Sequence, residues 1–194
     1  MGIYIDIHTH HDVTSHPAPQ GVGVHPWYAD VKYVDEAALR AATIIGEIGL
    51  DYACNVDRKI QEELFCHQLS LAEQHDKIVL LQCVRAFEPM MKILQRHHLR
   101  AVIFHGFIGS PEQAKRAIEQ GYFLSFGEGA FRSPKTLKAM HSTPLSQLFA
   151  ETDEGPQSIE NIYEMIASIR GITTEELIEA IEKNYTRIFE NNGK

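Results

Sequence analysis

Short β-branched, apolar runs recur along this chain, separated by longer stretches of helical period, and that alternation leaves it few folds. The runs are Ile3 to Ile7, Val22 to Val24, Thr43 to Ile48, Ile78 to Val84, Ala101 to Phe104, Phe123 to Phe126 and Leu148 to Thr152. They read as buried strands of a parallel sheet, in which successive strands are joined by crossover helices. The helices carry their own punctuation. Ser110-Pro111-Glu112 offers an N-cap, a proline at the first helical position and an early acid, and Gly121 ends that segment. Thr173 with Glu176 makes a capping-box pattern ahead of Leu177, Ile178 and Ile181. Ile60, Leu64, Leu71 and Ala72 recur at spacings of one helical face between Asp57 and His75, and the chain from Ser158 onward reads as mostly helical.

One interval breaks the rule. Only His8 to Gly21 separates the first two runs, and with Pro17, Pro19 and Gly21 in it no crossover helix fits. A complete eight-unit β/α barrel typically runs to about 250 residues, with about 200 near the lower limit, and this chain has 194. The expected fold is therefore α/β: a shortened TIM-type β/α barrel of seven parallel strands with one unit missing, forming a single domain over 1–194.

Composition narrows the function. Hydrophobic residues at 44% and charged residues at 23% are those of an ordinary soluble protein, and no apolar run is long enough to span a bilayer. The start lacks the basic region and cleavage pattern of a signal peptide, so a cytoplasmic protein is expected, with no membrane contact and no obligate protein partner evident. Cys54, Cys66 and Cys83 are odd in number and form no CxxC pair, which disfavours disulfides and a thiolate zinc site. With 18 basic and 26 acidic residues the net charge is −8, so a polyanionic substrate would have to be held by metal ions and local basic groups. Histidine is over-used, with 11 residues, and it is the commonest metal ligand.

His8-Thr9-His10 closes the first run, where period-two alternation turns both imidazoles to one side. Two neutral nitrogens so placed chelate a divalent ion if carboxylates or further histidines complete the shell. Other ligand types stand at the same relative place: Glu47 in the third run, His105 after the fifth and Asp153 after the seventh. The carboxyl ends of the strands form the functional face of a β/α barrel. Singly, Glu47 is explained as a solvated acid, His105 as a core histidine and Asp153 as a helix cap. Four coincident strand ends outweigh those separate explanations.

Tyr4-Ile5-Asp6-Ile7-His8-Thr9-His10, Gly23-Val24-His25-Pro26, Ile45-Gly46-Glu47-Ile48-Gly49-Leu50-Asp51, Phe104-His105-Gly106-Phe107-Ile108-Gly109 and Glu151-Thr152-Asp153, with Asn184-Tyr185-Thr186-Arg187-Ile188-Phe189 at the end, stand in an order that resembles the TatD-like metal-dependent hydrolases. The resemblance spans nearly the whole chain and implies an amidohydrolase-like barrel whose second β/α unit is missing. It also implies a hydrolase, of deoxyribonuclease type, using one or two divalent ions (Mg, Mn or Zn). His8, His10 and Asp153 would hold one ion, Glu47 would bridge two, and His105 would help to hold the second. A metal pair suits phosphodiesters because it stabilises both the attacking and leaving oxygens. Asp153 is the implied base toward the attacking water, and the substrate is a phosphate ester such as a DNA end or a nucleotide.

Two departures stand out. Gln82 occupies the place where the family usually has a histidine, and an amide oxygen suits magnesium or manganese better than zinc. The missing unit opens one wall of the cleft. By the same resemblance, Arg85, three residues after Gln82, would grip a phosphate oxygen, and His25 would contact the substrate or support the site. Arg132 and Lys135 lie on the same presumed face. His11 and His16 read as loop residues, and His97-His98 as an exposed helix end. The acids at 175, 176, 179 and 182 read as a solvated face, and Met90 and Met91 as packing. Because one barrel hosts many chemistries, hydrolysis of C–N or carboxylic ester bonds is an alternative. So is a degenerate scaffold that binds metal without catalysis.

Overall fold

Each apolar run becomes a strand where a ladder partner reaches it. In the computed structural model, which describes residues 2–13 and 15–190, six of the seven runs do so, and the ladders joining the second run to the third, the third to the fourth, the fourth to the fifth and the sixth to the seventh are parallel. The chain divides into two compact units, Gln20–Phe104 and the discontinuous Met1–Pro19 with His105–Lys194.

The Gln20–Phe104 unit holds β1 (Gly21–Val22), α1 (Glu36–Ala41), β2 (Ile44–Asp51), α2 (Arg58–Gln74), β3 (Ile78–Val84), α3 (Phe87–Leu94) and β4 (Ala101–Phe104). The strands lie in chain order, β1 on β2, β2 on β3 and β3 on β4. Between Ile45 and Ile48 the β2–β3 register slips, a bulge that re-aims the side chains it contains. One glycine lies within it and another just follows it, both for steric reasons. A Cβ on Gly46 would stand 2.6 Å from Leu80 Cβ, and one on Gly49, whose φ is +142°, would stand 2.1 Å from the Gln82 carbonyl oxygen.

Helix α2 buries Leu71 and Ala72 of the face its aliphatic spacing marks, but not Ile60 at its start. Ile60 is 39% exposed, while Gln61 and Gln68 are buried beside Phe65, Leu69 and Ala72. The two amides act as backbone substitutes. Gln68 accepts from the Val24 N–H at 2.7 Å and donates to its carbonyl at 3.0 Å. Gln61 does the same for Asp51, at 2.8 and 2.9 Å. Such pairing satisfies the buried amide and fixes two loop-adjacent residues.

The other unit holds α4 (Pro111–Glu119), β5 (Phe123–Phe126), α5 (Pro134–Ser142), β6 (Leu148–Ala150), α6 (Ile159–Arg170) and α7 (Thr174–Tyr185). Both expected caps form: Ser110 with Gln113, and Thr173 with Glu176, are reciprocal capping boxes. Strand β5 pairs with β6 from Leu124↔Leu148 to Phe126↔Ala150. The first apolar run, Ile3 to Ile7, is the exception to the seven-strand expectation. It makes single contacts instead of a ladder: Asp6 N–H to the Pro17 carbonyl at 3.0 Å and Ile7 N–H to the Ala150 carbonyl at 3.1 Å. The buried Tyr163 hydroxyl of α6 serves the Ile5 backbone in place of a strand, accepting at 3.1 Å and donating at 2.9 Å. Pro17 and Pro19 follow closely, and a proline nitrogen cannot donate to a ladder. Among the described residues no helix is long and apolar enough to cross a membrane.

Candidate metal centre

Hydrogen bonds between strand ends place the ligand-type residues. In the unit containing both chain ends, the Asp153 N–H donates to the His8 carbonyl at 3.0 Å and the His10 N–H to the Asp153 carbonyl at 3.1 Å, so Thr9 and Asp153 form a parallel bridge. Behind it, buried Asp6 accepts from the Thr152 N–H at 3.0 Å and from the Thr152 hydroxyl at 2.6 Å. The Thr152 oxygen is 2.7 Å from the Thr9 hydroxyl. Since Thr152 has one proton and gives it to Asp6, Thr9 is the donor in that contact. Burial pushes the Asp6 carboxyl up from the usual range, with Thr152 opposing.

The result is convergent. His8 Nε2 and His10 Nε2 stand 3.6 and 3.5 Å from the same Asp153 oxygen, Oδ1. These separations exceed ordinary hydrogen bonds. They approach the edge of a tetrahedron of ligands with bonds near 2.1 Å, about 3.4 Å. His105 packs its ring 4.7 Å from that of His8. His105, Glu151 and Asp153 form a second group that shares Asp153 with the first. Either group, mixed in nitrogen and oxygen, could hold a divalent ion.

Glu151 is the residue the sequence reading passed over. It is fully buried, 3.5 Å from His105 Nδ1, and accepts from the Gly106 N–H at 2.5 Å. Burial alone would raise its carboxyl, but His105, then His8 and Ser125, outweigh burial and hold it below the usual range. The charge of Glu151 facing Nδ1 favours the proton there and leaves Nε2 of His105 as the candidate ligand atom, as is usual for metal-binding imidazoles. Its signals in the sequence are an acid at the end of an apolar run and its place in the Glu151-Thr152-Asp153 segment. Asp153 itself has φ 52°, a left-handed conformation that aspartate tolerates better than most residues. A cleft of about 340 Å³ beside it is lined by Gly106, Ile108, Glu128, Arg132, Glu151 and Asp153 among others. Arg132 is tied there to Glu128, while Lys135 is exposed on α5. His11 and His16 are loop residues; His11 Nε2 is 3.0 Å from the Gly155 carbonyl.

In the other unit, Glu47 is half-buried at the β2 bulge with His25 Nε2 3.9 Å away. His25 Nδ1 accepts from the Trp27 N–H, so the neutral ring carries its proton on Nε2, toward Glu47. Gln82 lies opposite Gly49 on β3. Arg85, just past β3, is exposed with φ 51°. Burial pushes the Cys83 thiol up to about 12, which makes it a poor nucleophile near neutral pH. The sign follows: any stability tied to the neutral thiol is complete below about pH 8.5 and is lost as pH rises toward 12. Iodoacetamide at pH 8 should therefore label Cys83 slowest of the three thiols, read by peptide mass spectrometry. Faster labelling at Cys83 than at Cys54 would contradict the burial.

Residues 13–190 match the family profile of TatD-related DNases. The chain is 29% identical to the human deoxyribonuclease TATDN3, over 75% of this chain and 59% of that protein. It is also 29% identical to the uncharacterized metal-dependent hydrolase YabD of Bacillus subtilis, over 88% of this chain and 77% of that one. It thus spans less than two thirds of the human relative. Among solved structures it superposes on YJJV, a TatD homolog from Escherichia coli, with TM-score 0.81, 27% identity and 90% and 77% of the two chains covered. The fold class is accordingly the shortened β/α barrel expected from the sequence.

Proposed function

The chain belongs to the TatD-related DNase family, and from that premise we propose that it is a divalent-metal-dependent phosphodiesterase, acting as one domain on DNA ends, nucleotides or a smaller phosphate ester. The observation that carries this reading is the convergence of His8 and His10 on one oxygen of Asp153. A divalent ion held by His8, His10 and Asp153, with His105 oriented by Glu151, would supply Lewis acidity toward water and a phosphoryl oxygen. The remaining work falls to the chain. Asp153 takes the proton of the attacking water through its carboxylate. Glu47 and Gln82 are proposed as further ligands on the family resemblance, and Gln82 points to magnesium or manganese. Arg85 offers a guanidinium to phosphate oxygens, and the Nε2–H of His25 offers a donor. The free thiols Cys54, Cys66 and Cys83 support a reducing, cytoplasmic setting.

The test is elemental mass spectrometry of purified protein, wild type beside Gln82→His, with turnover of bis-p-nitrophenyl phosphate. Wild type is expected to bind at least one ion and to turn over with manganese or magnesium. Gln82→His should raise zinc affinity about tenfold or more, the scale of outer contributions to metal sites. Wild type without metal and without turnover under any of the three ions would overturn the reading.

A further inference from the structure

Trp27, the single tryptophan of the chain, is fixed by its N–H edge and half exposed. The indole is 52% exposed, yet its N–H donates at 2.6 Å to Oδ2 of Asp51, a carboxylate only 4% exposed. That carboxylate is itself held: Oδ1 accepts from the Ala53 N–H at 2.8 Å, and the Asp51 backbone is clamped by Gln61. His25 abuts the indole edge-to-face, ring centres 4.6 Å apart. Keeping a carboxylate out of water is costly, and here it holds a ring about half of which stays in solvent. Rigid, half-exposed aromatics of this kind are what binding surfaces present.

A cation stands close in the ladder. Asp51 pairs with Val84, and the exposed Arg85 is the next residue. A half-exposed indole anchored on Asp51, with an arginine one residue past the ladder partner of Asp51, matches the two halves of a nucleotide, a flat base and an anionic phosphate. We propose that Trp27 is the stacking platform for the nucleobase of a nucleoside monophosphate unit, and so sets a preference for base-bearing phosphate esters. Its part in turnover rests on the phosphodiesterase reading above; the stacking itself does not.

Because Trp27 is the sole indole, fluorescence reports directly on that ring. Thymidine 5′-monophosphate titrated into the full chain should quench the emission saturably, and 2-deoxyribose 5-phosphate, which lacks the base, should not. By calorimetry Trp27→Ala should weaken thymidine monophosphate binding about tenfold, within the range of one base–aromatic stack. It should leave deoxyribose phosphate binding unchanged, while Trp27→Phe stays within about threefold of wild type for the nucleotide, circular dichroism confirming the fold of each variant. Equal quenching by both ligands, no saturable quenching by the nucleotide, or unaltered affinity in Trp27→Ala would each overturn the proposal. Wild-type turnover of bis-p-nitrophenyl phosphate separates the two ideas: turnover without base-dependent quenching removes the stacking alone, and base-dependent quenching without turnover removes the hydrolase reading alone.

Discussion

Asp153→Asn is expected to lose its tightly bound divalent ion and to turn over phosphodiesters about a thousandfold more slowly than wild type, the upper range for removing one preorganised charged group from a reaction centre. The asparagine variant is the informative one because Asp153 sits at φ 52°. Alanine there would add backbone strain, whereas asparagine enters the left-handed region readily. The substitution keeps the Thr9 bridge, which uses the backbone, and removes only the carboxylate charge shared by the two ligand groups. In EDTA the melting temperatures of variant and wild type should agree within about 2 °C, a difference of no more than about 1 kcal/mol at this size. With saturating manganese, wild type alone should gain stability, because an ion bound only by the native state stabilises it by mass action. A variant that keeps stoichiometric metal and turns over within tenfold of wild type would show that the ion is held elsewhere.

The parts of the site legible in the sequence are those whose placement depends on strand periodicity. His8 and His10 converge because two residues along an extended chain face the same way, and Asp153 meets them because β6 ends beside that segment. The parts that were not legible depend on tertiary pairing. Glu151 reads as one acid among many until His105 and Gly106 are seen around its carboxylate. Gln61 and Gln68 look like the polar side of α2, yet two unpaired backbone segments draw them into the core and leave Ile60 outside. The first run misled in the opposite direction. Its β-branched residues are those of a buried strand, and Ile5 and Ile7 are buried. Its backbone bonds, however, are taken by a tyrosine hydroxyl, the Pro17 carbonyl and a single β6 carbonyl. Hydrophobic pattern reports burial, and burial does not specify which groups satisfy the main chain.

That same first segment is where a single substitution should hurt the fold most. Asp6 receives both the N–H and the hydroxyl of Thr152 with no exposure to solvent. Asp6→Ala would strand both donors in the interior, and unsatisfied buried donors cost about 1–3 kcal/mol each. A loss of about 3 kcal/mol is expected, lowering the melting temperature by about 10 °C. Metal affinity should fall with it, since Asp6, Thr152 and Thr9 set the position of His8, His10 and Asp153. Asp6→Asn discriminates charge from hydrogen bonding. Its Oδ1 can still accept from the Thr152 N–H, and its amide can donate to the Thr152 hydroxyl if that hydroxyl turns to donate to Thr9. The relay then runs in reverse with every proton placed, and the cost should be about 1 kcal/mol. Equal losses in the two variants, measured by urea denaturation in EDTA, would mean that the charge itself stabilises this junction and that the hydrogen-bond relay is secondary.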